Sequence, residues 1–174
     1  MNAASFGLVI ELFRRVVPGL STILLILLTQ LPVPIPFFPN VAPAMPLMAI
    51  YYWVVFRPDL MPLILIFAAG LFHDALIGAP FGLTALIYIL AHAFVLNQRR
   101  FLAGKSFWVF WAGFAIVALV AMFSTYVMAS ILREAIMPAD AVFMCMVLTV
   151  VTFPVVAWAL LQSQRWLVGS AQPS

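Results

Sequence analysis

The chain has 174 residues, of which 67% are hydrophobic and only 7% are charged. Soluble domains carry about 25% charged residues, so this composition excludes a soluble globular fold and indicates that the solvent is lipid. The net charge of +3 comes from basic residues split among short loops, which does not indicate nucleic-acid binding. The single cysteine, Cys145, lies in an apolar run, so no intrachain disulfide is possible and no metal cluster is indicated.

The chain begins with an amphipathic stretch over residues 1–15. Apolar residues share one helical face, and Glu11, Arg14 and Arg15 lie opposite. This pattern suits either a short helix in the membrane surface or a cytoplasmic extension of the first span. The apolar run that follows predicts an uncleaved span rather than a signal peptide, because further apolar segments come after it.

Six apolar segments predict six transmembrane helices, and therefore an all-α, polytopic bundle that forms a single integral membrane domain. The predicted spans are about 16–38, 44–56, 60–77, 81–96, 107–132 and 141–161. The second span is short and carries Tyr51, Tyr52 and Trp53 near its end. Pro154 predicts a kink in the sixth span.

The connections between these spans differ in character. The segment from Pro32 to Pro46 holds six prolines, which predicts extended chain, either a stiff connector or an exposed docking edge for a partner. Arg57-Pro58-Asp59 predicts a tight turn in which Asp59 caps the next helix. Residues 97–105 predict a basic loop, and residues 133–140 a loop of mixed charge.

Charge predicts the orientation of the spans. With six spans and both termini in the cytoplasm, the inner segments hold seven basic residues and the outer segments only Arg133, in agreement with the positive-inside rule. The seven are Arg14, Arg15, Arg57, Arg99, Arg100, Lys105 and Arg165. All the tryptophans then fall in the inner half, where they are expected to form an interfacial belt.

Between the third and fourth spans, Gly70, Asp74, Gly78 and Gly82 recur every four residues. Asp74 is the only acidic residue well inside a long apolar run, and such a residue costs roughly 2.5–3.5 kcal/mol in lipid, so it should face protein or water. The glycines allow another backbone to approach closely, and Gly78-Ala79-Pro80 predicts a break between two helices. The stretch therefore predicts the tip of a helical hairpin with a buried carboxylate beneath it.

The returning helix offers partners for Asp74. Thr84 is expected at similar depth, and its hydroxyl and the free backbone amides at the start of that helix are donors. Thr84, Tyr88 and His92 follow at spacings of four, which predicts interhelical hydrogen bonds, with a proton or substrate path as the alternative. His73 and Asp74 point about 100° apart on a helix, so they form no natural dyad. No catalytic triad, metal-ligand spacing or phosphate-binding loop is present in the sequence, and we expect neither catalysis nor a cofactor.

From Pro39 to Phe101 the chain resembles the MreD family of bacterial rod shape-determining membrane proteins. The resemblance rests on Tyr52-Trp53 in a short second span and on the pattern Gly70-xxx-Asp74-xxx-Gly78-xxx-Gly82, followed by an apolar helix with Tyr88. His73 and the proline-rich first outer loop depart from the family pattern.

The resemblance implies a non-enzymatic part of the cell-elongation machinery in the cell inner membrane. Such proteins work with the bitopic protein MreC, are linked to the filament protein MreB and to peptidoglycan synthases, and maintain rod shape. Their fold is thought to resemble the six-helix substrate-binding subunits of energy-coupling-factor transporters, which suggests a small-molecule-binding transport subunit as the alternative. That alternative requires a polar pocket open to the outer face, and the few polar residues in the outer loops favour the scaffold. A third possibility is an unspecialised membrane assembly subunit.

Overall fold

The computed structural model describes residues 3–31, 42–102, 104–133 and 139–169. Within these ranges the protein is all-α, as predicted, and a short 3-10 helix, Pro58–Leu60, joins the second and third helices. The α-helices are α1 (Ala3–Thr29), α2 (Met45–Phe56), α3 (Leu63–Ile77), α4 (Leu83–Leu102), α5 (Phe107–Arg133) and α6 (Ala139–Gly169).

The shortest α-helix, α2, lies at the centre of the bundle. Every residue from Pro46 to Val55 is buried, and α2 contacts α1, α4, α5 and α6. Its sequence is apolar on all sides, which is typical of a helix surrounded by other protein elements rather than by solvent. The other helices are therefore arranged around α2, a role that its length alone did not predict.

Three consecutive aromatic side chains of α2, Tyr51–Trp53, bind three different neighbouring helices. The Tyr51 hydroxyl donates to the carbonyl oxygen of Phe110 in α5 at 2.8 Å. The Tyr52 hydroxyl donates to the side-chain oxygen of Gln164 in α6 at 2.8 Å, and the Trp53 indole donates to the hydroxyl of Ser21 in α1 at 2.9 Å. Successive residues of a helix point about 100° apart, so this triplet reaches partners all around α2.

The start of α2 is held against α6 by two hydrogen bonds. The backbone amide of Ala44 donates to the hydroxyl of Thr149 at 3.0 Å. The Cys145 thiol donates to the carbonyl oxygen of Ala42 at 3.1 Å. These contacts anchor the chain where it leaves the proline-rich segment, of which residues 32–41 lie outside the described residues.

Helix α6 runs through Pro154 without a break in its helical structure. A proline has no backbone N–H, so the carbonyl oxygen of Val150, four residues earlier, loses its usual partner within the helix. The indole N–H of Trp111 in α5 donates to this oxygen at 3.0 Å. A side chain of the neighbouring helix therefore replaces the missing bond, while the kink expected at Pro154 stays a prediction.

Helix α2 ends at Phe56, as predicted, but the predicted start of α3 and its predicted cap are wrong. The predicted span began at residue 60, but α3 begins at Leu63, directly after Pro62. Asp59 does not cap α3. Its carboxylate instead binds the Arg57 guanidinium, with N–O distances of 3.2 and 3.3 Å. The reason is the 3-10 turn, which places Asp59 beside Arg57 and away from the first amides of α3.

Three other helices extend beyond their predicted spans. Helix α1 is continuous from Ala3 to Thr29, so residues 3–15 extend the same helix instead of forming a separate one. At its other end α1 stops at Thr29, before the predicted end of the span at residue 38, and residues 32–38 lie outside the described residues. Helix α4 continues to Leu102, so most of the predicted basic loop is helical. Arginine is a good helix former and is favourable near a helix C-terminus. Helix α6 runs on to Gly169. For α4 and α6, hydropathy marked only the apolar part of the helix.

Two helices of the described chain are long and apolar enough to cross a membrane, over Phe107–Met128 and Asp140–Gln164. Shorter apolar helices cover Arg15–Thr29, Met45–Phe56 and Leu63–Ile77. The six-span topology therefore stays a prediction. Most of the predicted loop at residues 133–140 lies outside the described residues.

The expected tryptophan belt is wrong for one member. Trp53 is only 1% exposed and lies inside the bundle, so it cannot face lipid headgroups. Trp108 and Trp158 are 70% and 62% exposed, as residues of an interfacial belt would be. The reason is the central position of α2, which buries every residue from Pro46 to Val55, Trp53 included.

Candidate functional site

The site that the sequence singles out lies in the hairpin formed by α3 and α4. We call it the hairpin site, and its residues are Gly70, Asp74, Gly78, Gly82, Thr84 and Tyr88. Asp74 is fully buried, and both of its carboxylate oxygens accept hydrogen bonds from backbone amides. The amide of Gly82 donates at 2.9 Å and the amide of Thr84 at 3.0 Å.

These two amides belong to the start of α4, where the first N–H groups of a helix have no partner within the helix. A capping residue normally supplies the acceptor from its own chain position, just before the helix. Here the acceptor comes from α3, and its negative charge also suits the positive end of the α4 dipole. Asp74 thus points toward the fourth helix, the direction that the sequence predicted, and Thr84 contributes through its amide.

The backbone of Asp74 closes the other side of the same turn. Its carbonyl oxygen accepts the amide of Gly78 and, at 3.1 Å, the amide of Ala79. Gly78 has φ = 63°, a left-handed conformation that ends α3, and Gly82 has φ = 95° just before α4 begins. Glycine adopts positive φ at little cost, so the glycine spacing serves the turn that brings the Gly82 amide to Asp74.

Gly70 has a different role, because the backbones of α3 and α4 lie close together at this residue. A methyl group on Gly70 would lie 2.3 Å from the Cα atom of Ala85 and 2.8 Å from its Cβ atom. No real contact is that short, so any side chain here would push the two backbones apart. The four-residue pattern therefore combines a close helix contact, a cap and two turn positions.

Tyr88 pairs with His73 rather than with Asp74. The Tyr88 hydroxyl and the His73 Nδ1 atom lie 2.9 Å apart and share a hydrogen bond, and the two rings are nearly parallel at 14°. Tyr88 is buried and His73 is half-buried. His73, which departs from the family pattern, is thus hydrogen-bonded to Tyr88, which belongs to that pattern.

Two residues of the stripe on α4 form hydrogen bonds with α3. The Thr84 amide donates to Asp74, and the Tyr88 hydroxyl shares a hydrogen bond with His73. This arrangement agrees with interhelical hydrogen bonding. Both oxygens of Asp74 are occupied by amides, so the carboxylate serves as a structural cap. The partner role of the hairpin site stays a prediction.

The tip of the hairpin presents apolar surface that the sequence did not single out. Phe81, which lies between Gly78 and Gly82 in the turn, is 78% exposed. Leu76 and Ile77, in the last turn of α3, are 41% and 46% exposed. The capped turn beneath holds these side chains in a fixed arrangement.

The opposite end of the bundle is basic. Asp59, Asn97, Arg99 and Arg100 line a polar cavity of about 530 Å³ between the 3-10 turn and the end of α4. The hydrogen bond from Arg57 holds the pKa of the Asp59 carboxyl below its usual value. The α3–α4 hairpin therefore has an apolar tip at one end and positive charge at the other.

A further cavity, of about 320 Å³, lies between α4 and α5 and is lined mostly by apolar side chains. Its polar lining residue is Ser124. A transport subunit for a polar small molecule would need several converging polar groups instead. This cavity does not favour the transport alternative.

A helical bundle with two described helices long and apolar enough to cross a membrane, built around a buried central helix, is typical of an α-helical membrane protein. A family model described as rod shape-determining protein MreD matches residues 11–163. The match covers most of the 174 residues, and the protein belongs to the MreD family. The resemblance that the sequence carried between Pro39 and Phe101 is thereby confirmed and extends on both sides. No curated protein and no solved structure matches the chain.

Proposed function

We propose that this protein is a non-enzymatic membrane component of the bacterial cell-elongation machinery. It maintains rod shape and lateral peptidoglycan synthesis together with MreC, MreB and the peptidoglycan synthases. The observation that carries the proposal is the family match over residues 11–163, whose description is rod shape determination.

The hairpin site supports a binding role over a catalytic one. Asp74 has both oxygens bonded to backbone amides at 2.9 and 3.0 Å, and the resulting cap holds the exposed Phe81 in place. A rigid turn that carries exposed apolar side chains is suited to contact with another membrane protein, because the capped backbone presents those side chains in one arrangement. We place the partner contact at this tip.

The proposal includes the inner membrane, six spans and cytoplasmic termini. The basic end of the bundle supports this orientation, because Arg57, Arg99 and Arg100 gather there and Lys105 follows α4 at the same end. It also includes a fold like that of energy-coupling-factor substrate-binding subunits, which the all-helical architecture supports.

The test is depletion of the protein in its native rod-shaped host. We expect cells that become round or swollen and that regain their shape when the wild-type chain is supplied. The tagged wild-type chain should also retain MreC on purification from membranes, whereas an Asp74→Leu chain at equal abundance should retain less. A depleted strain that stays rod-shaped but loses uptake of one nutrient would support the transport-subunit alternative instead.

A further inference from the structure

A groove runs along the surface of the bundle between α5 and α6, with the end of α2 as its floor. Its volume is about 340 Å³, and apolar or aromatic side chains form most of its lining. Along α6, the lining residues Pro154, Ala157, Trp158 and Leu161 share one helical face. They cover ~10 Å of helix at 1.5 Å per residue. The groove therefore follows one face of α6 over this length.

One end of this groove carries a cation. Lys105, which follows α4, is the charged residue of the lining, and its Nζ atom lies 5.5 Å from the centre of the Phe101 ring. Among the residues that the structure describes, Lys105 takes part in no ion pair. Its side chain is exposed and its charge is available to a ligand in the groove.

The position of the groove matches the boundary between lipid tails and headgroups. Trp158, one of its walls, is 62% exposed, and Phe107 at the start of α5 is 49% exposed. Tryptophan and lysine near helix ends are typical of this boundary. The apolar part of the groove extends from Lys105 toward Pro154, away from the basic end of the bundle.

We propose that the groove binds one anionic phospholipid, with an acyl chain along α6 and the headgroup phosphate on Lys105. The two chemistries of the groove match the two parts of such a lipid: flexible hydrocarbon against the aromatic wall, and negative charge against the ammonium. Basic pockets between membrane helices on the cytoplasmic side commonly hold anionic headgroups. The site rests on the membrane orientation included in the proposed function, but not on the role in cell shape.

The experiment uses the full chain, purified in detergent and stripped of lipid. The thermal midpoint is followed during titration with dioleoyl phosphatidylglycerol, dioleoyl phosphatidylcholine or glycerol 3-phosphate. We expect the anionic lipid to raise the midpoint saturably. The zwitterionic lipid, with the same chains, should bind about fivefold more weakly, because one basic residue near the surface contributes about that factor. Glycerol 3-phosphate should give no shift at the same concentrations.

Two charge variants make the test specific. Lys105→Gln should bind both lipids equally, since the ammonium is gone but the apolar groove remains. Arg100→Gln removes an exposed cation at the same end of the bundle that does not line this groove, and it should keep the preference. Trp158→Ala, which removes one aromatic wall of the groove, should weaken the binding of both lipids.

The proposal is overturned if Lys105→Gln keeps the anionic preference or if Arg100→Gln loses it equally, because binding would then follow overall charge. A shift with glycerol 3-phosphate alone would show a phosphate site and no lipid site. If neither lipid raises the midpoint, the groove is not a lipid site, and an apolar helix of a partner protein becomes the occupant to test.

Discussion

The carboxylate of Asp74 accepts the backbone amide of Gly82 at 2.9 Å, across the turn that joins α3 to α4. One residue thereby ends one helix with its carbonyl oxygen and caps the next with its side chain. In the hydrocarbon region of a bilayer, an unpartnered amide cannot form a hydrogen bond with water. The acidic residue in this apolar run is therefore explained by the geometry of the turn.

Replacement of Asp74 should reveal the cap. Asp74→Leu leaves the amides of Gly82 and Thr84 without an acceptor, at roughly 1–3 kcal/mol for each buried group. Asp74→Asn keeps one acceptor oxygen and should be milder. The thermal midpoint of the purified chain should be highest for wild type, lower for Asp74→Asn and lowest for Asp74→Leu. If the Asp74→Asn variant disturbs the rod shape of the cells as much as Asp74→Leu while the protein stays folded, the charge of Asp74 itself has a function.

Gly70→Ala should destabilise the protein, because the added methyl group meets the backbone of Ala85 at 2.3 Å. Overpacking of this kind costs roughly 1–3 kcal/mol. Gly104→Ala is the matched control, since nothing lies within 4 Å of the methyl group at that position. Thermal midpoints of the two variants in the same detergent provide the comparison. Equal midpoints would show that α3 and α4 can separate without cost.

Gly78→Ala tests the backbone alone, because Gly78 has φ = 63° and nothing lies within 4 Å of an added methyl group. A left-handed residue with a side chain costs roughly 1–2 kcal/mol. Gly78→Asn should be better tolerated, as asparagine visits this conformation more readily. The ranking is measured by thermal unfolding, and an alanine variant as stable as wild type would contradict the role of the turn.

The bond from Trp111 to the Val150 carbonyl should matter only while Pro154 is present. Trp111→Phe leaves that oxygen without its donor and should destabilise the protein by about 1 kcal/mol. In a Pro154→Ala background the helix can supply its own N–H to Val150, so the same change should cost less. A double-mutant cycle on thermal stability measures the difference. Strict additivity would show that the two features are independent.

The predicted topology can be tested with reporter fusions at the two ends of α4. A reporter active only outside the cytoplasm should be active when fused after Ala79, in the α3–α4 turn, and inactive after Gly104, beyond the end of α4. The reason is the basic charge at the second end. Equal expression of both fusions is the control, and an active fusion after Gly104 would falsify the inside position of the termini.

Local chemistry accounts for what the sequence predicted well. The helix break at Gly78-Ala79-Pro80 and the inward direction of Asp74 follow from glycine conformation and from the cost of a charge in lipid. Hydropathy located every α-helix of the described chain, but it placed several ends wrongly. Helix α4 continues through Arg99 and Arg100, since helix formation does not require apolar residues.

The sequence by itself determined the all-helical class, the hairpin and the family, because these depend on composition and on residues close together in the chain. Only the tertiary structure decided that α2 is the centre, that Trp53 is buried, and that Trp111 serves the carbonyl of Val150. Such contacts join residues far apart in the chain, for example the 39 positions between Trp111 and Val150. An apolar side chain is equally suited to lipid and to a helix neighbour, so its pattern cannot tell the two apart, and only packing does.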